Sequence, residues 1–192
     1  DGLLVTPGWV DVHTHYDGQA TWDPELASSS WNGSTTILFG NCGVGFAPVR
    51  TEHHEALIDL MEGVEDIPGI ALAEGLDWDW ESFPEYMDAL ERRDRVIDVA
   101  AQMPHHALRV YVMGERAIRH ELATSEDIEI MARLTGEAIQ AGAFGFTTSR
   151  TDSHKTTSGD FVPGRYSGTD ELVGIGRELG RLGAGVFGLI SD

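Results

Sequence analysis

The sequence predicts an α/β fold built on a parallel sheet. Short apolar or β-branched runs alternate with longer amphipathic ones, which is the pattern of successive βα units. The short runs are continuously apolar, as strands buried on both faces are. No internal repeat or low-complexity linker divides the 192 residues, which suffice for one domain with a sizeable core.

Strands are expected at Trp9–His13, Thr35–Phe39, Val96–Ala101, Phe144–Thr148 and Gly185–Ile190. The stretch from Gly40 to Arg95 is longer than one βα loop and carries a helix of its own near His54–Glu62. Ser82 and Glu85 form a capping box with Pro84 in the first turn, and Phe83, Met87 and Leu90 then share a face. A helix over Ser125–Ala141 places Ile128, Met131, Leu134 and Ala138 at helical spacing. Another over Asp170–Leu182 does the same with Leu172, Ile175, Leu179 and Leu182, and Gly183 stops it. Five βα steps make either a doubly wound sheet or part of an eightfold barrel, and a whole barrel takes about 250 residues. Residues 1–192 are therefore expected to form a single domain with an inserted helical segment at about 43–95, cut open if it is a barrel.

The charge balance narrows the partners. Thirty-two acidic side chains against thirteen basic ones give a formal net charge of -19, which repels nucleic-acid phosphates and anionic membranes. No nucleic acid and no membrane are expected as partners, and no run reaches the roughly 18 apolar residues of a membrane span. The chain opens Asp1-Gly2 without an initiator methionine or a signal-like segment, so a boundary is expected there and a cytoplasmic location is the simplest expectation. Glu55 to Asp98 holds fourteen carboxylates and three arginines, read as a solvated helical face. Cys42 is the single cysteine, which excludes an internal disulfide.

The first strand ends in Val10-Asp11-Val12-His13-Thr14-His15. Residues two apart on a strand share a side, so His13 and His15 can face one metal ion, and imidazole nitrogen suits zinc. The second strand runs into Gly40-Asn41-Cys42-Gly43, whose glycines let the backbone bend close to an ion. A lone cysteine is more often a buried small residue, and the two upstream histidines shift that reading towards a thiolate ligand.

These segments carry a resemblance. Pro7-Gly8-Trp9-Val10-Asp11-Val12-His13-Thr14-His15 resembles the strand-one motif of metal-dependent amidohydrolases, and Gly40-Asn41-Cys42-Gly43 resembles the cysteine segment of the N-acyl-D-amino-acid deacylases, the D-aminoacylases. Val99 to His106 and Ala141 to Ser149 are similar, more weakly, to the third and fourth strands of that family.

The resemblance implies a partial TIM (β/α)8 barrel of the amidohydrolase type, about the first five strands, with zinc held by His13, His15 and Cys42. It implies hydrolysis of the amide bond of a small-molecule N-acyl-D-amino acid, with the general base an aspartate on an eighth strand beyond Asp192. His105 falls where the family's strand-three histidine lies, either touching substrate or the metal's surroundings or serving structure alone. Arg150, leaving strand four, is the residue expected to grip a substrate carboxylate, against the alternative of a surface arginine.

The sequence departs from the family in two places. Strand four carries no lysine to bridge two metals, since the lone Lys155 comes seven residues after Thr148. Strand five, Val186 to Asp192, has no histidine, and Asp192 is the only candidate substitute there. A catalytically inactive binding relative is thus the competing reading. The 192 residues alone are expected to show no deacylase activity even with zinc, and unpaired sheet edges are expected to favour self-association.

Overall fold

The computed structural model describes residues 2–192. Five strands pair in sequence order and all in parallel, forming half of a barrel with helices packed around it. They are β1 (Trp9–Asp11), β2 (Ser34–Phe39), β3 (Asp98–Pro104), β4 (Gly145–Arg150) and β5 (Val186–Ser191). Six helices of seven or more residues accompany them: α1 (His54–Glu65), α2 (Gly69–Gly75), α3 (Phe83–Glu91), α4 (His105–Met113), α5 (Ser125–Gln140) and α6 (Thr169–Leu182).

The helix signals work as their chemistry dictates. The Ser82 hydroxyl accepts from the Glu85 amide while the Glu85 carboxylate accepts from the Ser82 amide, which starts α3. Thr124 and Asp127 form a second capping box at α5 that the sequence reading passed over, because Asp stands where Glu is usual. Gly183 takes φ +64° and ends α6.

The strands depart from expectation at their ends. β1 stops at Asp11, and the chain then runs beside β2 with the Thr14 amide donating to the Leu38 carbonyl at 3.0 Å. β3 begins at Asp98 and runs on to Pro104, beyond the Ala101 expected. Gln102 looks polar enough to leave the strand, but its amide is buried and donates to Asn41 Oδ1 at 2.9 Å. Burial on both faces holds only for the middle of the sheet, where Ile37, Phe39, Ala101, Met103 and Phe146 are all sealed from solvent. Trp9, Val10, Val186 and Leu189 on β1 and β5 are exposed, since among the described residues each of these strands has one neighbour.

The segment between β2 and β3 folds onto the carboxyl ends of the strands through an aromatic cluster. Trp80 is buried and donates to the Phe46 carbonyl at 2.8 Å. Trp78 stacks on His54 with ring centroids 3.8 Å apart, so His54 is a packing residue. Leu57, Leu60 and Met61 of α1 enter the same core.

Candidate metal centre

The centre is built on one tight turn. Gly40, Cys42 and Gly43 take φ of +78°, +57° and +76°, folding the chain back just after β2. A Cβ on Gly40 would lie 2.3 Å from the Gln102 carbonyl oxygen, so no other residue fits. Cys42 has a side chain in this left-handed region, at a cost of roughly 1–3 kcal/mol that such sites carry when the surroundings enforce it. The enforcement is visible. The Thr147 hydroxyl donates to the Gly40 carbonyl and accepts from the Gly43 amide at 3.1 Å. Asn41 Nδ2 donates to the carbonyls of Thr14 at 3.2 Å and Leu38 at 3.0 Å, tying the turn to the segment that carries both histidines.

The turn delivers Cys42 Sγ to 3.3 Å from His13 Nε2 and 3.8 Å from His15 Nε2. The three donor atoms lie within 4.8 Å of one another, so they converge as expected. Ligands at roughly 2.0–2.3 Å from a tetrahedral zinc stand roughly 3.3–3.6 Å apart, which the two sulfur contacts bracket.

The electrostatics ask for a cation. Burial, then the charges of Glu65 and Asp17, push the Cys42 thiol up to about 12. Burial, then Asp66, pushes Glu65 up to about 7. Asp17 is fully buried, which raises its carboxyl well above the usual range, and its Oδ2 has no partner. No lysine or arginine among the described residues pairs with any of the three. Burial without a cation favours the protonated forms of these groups, and a divalent ion would take the place of the protons. His15, lowered to about 4 by burial and then by His13 and His154, is neutral near pH 7 and ready to ligate. The donor chemistry therefore fits zinc.

The other expected site residues lie elsewhere. His105 is fully buried, with Nε2 2.7 Å from Glu171 Oε1 and Nδ1 2.7 Å from Thr148 Oγ1. Burial lowers its pKa, so the neutral ring donates from Nε2 and accepts from the Thr148 hydroxyl. Both nitrogens are engaged, by Glu171 and Thr148. Alternation along β4 sends Thr147 and Ser149 towards the cysteine turn and His106, and Phe146 and Thr148 towards His105. Arg150 belongs with the second set, so the strand does not aim it at the cluster. Asp192 is occupied as well: its carboxylate accepts from the Thr151 hydroxyl and from the Asp152 amide at 2.8 Å, holding the loop after β4 in place of ligating.

Three residues near the centre carried no assignment in the sequence. Asp17 follows His15 by two positions, a spacing that was a usable signal. His154 Nδ1 lies 2.8 Å from Ser149 Oγ, which also meets His106 Nε2 at 3.3 Å. Glu65 Oε1 lies 3.2 Å from His15 Nε2, from within the carboxylate run read as solvated, and nothing local in the sequence sets it apart.

Comparison with known proteins agrees with this geometry. The profile described as "Amidohydrolase family" matches residues 1–182. The chain belongs to that family. This amidohydrolase is 30% identical over 178 residues to a D-aminoacylase of Alcaligenes xylosoxydans xylosoxydans, covering 93% of the chain and 32% of the relative. It is 31% identical over 184 residues to an N-acyl-D-aspartate deacylase from the same organism, covering 95% of the chain and 32% of that protein. An N-acyl-D-glutamate deacylase of Bordetella bronchiseptica, solved with zinc and a phosphonate inhibitor that mimics the reaction's tetrahedral intermediate, superposes with a TM-score of 0.71 at 27% identity. That match covers 95% of the chain and 33% of the solved protein. The amidohydrolase chain thus spans about a third of the length of these relatives.

Proposed function

We propose that the protein carrying this chain is a zinc-dependent hydrolase of the amide bond in N-acyl-D-amino acids, with His13, His15 and Cys42 as metal ligands. The observation that carries the reading is the convergence of those donors within 4.8 Å at the carboxyl ends of β1 and β2, where barrel enzymes place their chemistry. Support for the substrate class comes from relatives named for D-aminoacyl and N-acyl-D-aspartate substrates.

A zinc ion supplies a Lewis acid and lowers the pKa of a bound water to about 7. The chain's own part is to hold that position. The turn at Cys42 fixes the thiol against its preference for protonation, and burial keeps His15 neutral. Ser149, His106 and His154 line the neighbouring strand end with linked hydrogen bonds. No helix of the described residues is long and apolar enough to cross a membrane.

The absence of a histidine on β5 favours a second reading, a relative that binds N-acyl amino acids without turning them over. Metal analysis of the intact protein, joined to hydrolysis assays on N-acetyl-D- and N-acetyl-L-amino acids, separates the two. Stoichiometric zinc with D-selective turnover supports the enzyme. Ligand binding without turnover supports the binder, and neither binding nor zinc would remove both.

A further inference from the structure

The end of β4 beside the cysteine turn carries a hydrogen-bond chain that metal binding does not use. It begins at the Gly164 amide, which donates to His106 Nδ1 at 3.1 Å. A Cβ on Gly164 would lie 2.6 Å from that nitrogen, so the close approach needs a glycine. His106 is fully buried, and burial, then the charge of His105, holds its pKa well below the ordinary value. A neutral imidazole has one N–H and one acceptor nitrogen. With Nδ1 accepting, the hydrogen of His106 sits on Nε2, and Ser149 Oγ accepts it at 3.3 Å.

Ser149 is also sealed from solvent and has one hydroxyl hydrogen to place. Its neighbours in range are His106 Nε2, which already carries a hydrogen, and His154 Nδ1 at 2.8 Å. The hydroxyl therefore donates to His154 Nδ1. Burial lowers the His154 pKa, opposed in part by the Asp192 charge, so this ring too is neutral near pH 7. Its hydrogen is then on Nε2, which has no partner among the described residues and is not sealed from solvent. The place of the ring is fixed as well as its tautomer. The Asp192 carboxylate holds Thr151 and Asp152 on one side of it, and Lys155 bridges to Phe161 on the other. Ser149 shares its side of β4 with Thr147, which grips the cysteine turn. His154 is near enough to the centre that its charge acts on His15 and that of His13 acts on it.

We infer that His154 is a substrate-binding residue whose Nε2–H donates to an oxygen of an N-acyl amino acid held at the metal centre. Ser149 and His106 are the positioning residues that fix its tautomer. The inference rests on the deacylase reading given above. Such a substrate presents acceptor oxygens at its carboxylate and its amide carbonyl. A donor whose tautomer is set beforehand spares the cost of selecting one when the ligand arrives.

The test uses the intact protein, loaded with zinc, as wild type, His154→Phe, His154→Gln and Ser149→Ala. Nitrogen-15 NMR of the histidine-labelled wild type reads the tautomer, and steady-state kinetics on a panel of N-acetyl-D-amino acids reads the contact. The expected tautomer of His154 carries its hydrogen on Nε2, and Ser149→Ala should mix the two tautomers. His154→Phe should lose roughly 10- to 100-fold in kcat/KM, the scale of one hydrogen bond to a charged group. His154→Gln should recover part of that loss, because its amide keeps an N–H donor, which a merely structural ring would not predict. A raised KM at unchanged kcat marks the carboxylate as the acceptor, and a lowered kcat marks the scissile carbonyl. Because the tautomer is read on the wild type, a variant that misfolds leaves the inference testable, and a hydrogen on Nδ1 overturns it. Equal kcat/KM in wild type and His154→Phe, with zinc bound to both, overturns the His154 assignment and leaves the deacylase reading standing. A zinc-loaded wild type that neither binds nor hydrolyses N-acyl amino acids overturns the deacylase reading, and the ligand named here with it.

Discussion

Glu171→Gln is expected to be the most damaging conservative change away from the metal centre. Glu171 on α6 and Arg109 on α4 are each 1% exposed and ion-paired, and His105 and the Thr148 hydroxyl extend the network to β4. Arg109 has no other carboxylate partner among the described residues, and its remaining hydrogen bond runs from Nη2 to the Glu121 carbonyl at 2.8 Å. Glutamine keeps the shape and removes the charge, leaving a guanidinium buried against neutral groups. Breaking one side of a buried pair costs about 3–5 kcal/mol. For a chain of this size 1 kcal/mol moves Tm by roughly 2–4 °C, so a fall of roughly 6–20 °C follows. Calorimetry and urea denaturation of wild type, Glu171→Gln, Arg109→Met and the double variant measure it. The double variant should be more stable than Glu171→Gln alone, because it removes the stranded charge. The pH sets a second check. Burial works to raise the Glu171 pKa, and the contacts with His105 and Arg109 outweigh it to leave the value lowered. Its contribution is therefore present above the unfolded value of 4.5 and lost as pH falls through the folded one, so wild type and variant should converge in acid. A loss below about 1 kcal/mol at neutral pH, within the range of a surface pair, would refute the reasoning.

Gly40→Ala is expected to cost about 2 kcal/mol or more, from a Cβ driven against the Gln102 carbonyl at a left-handed φ, and to lower zinc affinity with it; denaturation and chelator competition read the two effects. Thr147→Val should cost about 1–3 kcal/mol by stranding the buried Gly43 amide and the Gly40 carbonyl, an outcome denaturation midpoints check directly. Zinc should raise Tm more at pH 8 than at pH 6. Binding has to displace the proton that burial holds on the Cys42 thiol, pushed up to about 12, so the ion binds more tightly as pH rises. Thermal shift with and without zinc at the two pH values tests the sign.

Local signals sufficed for much of this protein. Continuous apolar runs separated by amphipathic ones placed five parallel strands, because a parallel strand must be apolar along its length wherever helices cover both faces. His13, His15 and Cys42 were legible because their two short segments resemble the family's motifs, each contained within a few positions, and the fold brings the three together. What stayed hidden depends on contacts between distant segments. Glu65 is one of fourteen carboxylates in its run and differs from the others only because α1 docks its last turn beside His15. Gln102 belongs to β3 because Asn41, 61 positions earlier, satisfies its amide. The Glu171 partner of His105, 66 positions later on α6, is likewise set only by the packing. Sequence spacing states which side chains can share a side. Which side faces the ion is decided only when the helices pack, since burial and partner choice are properties of the assembled fold.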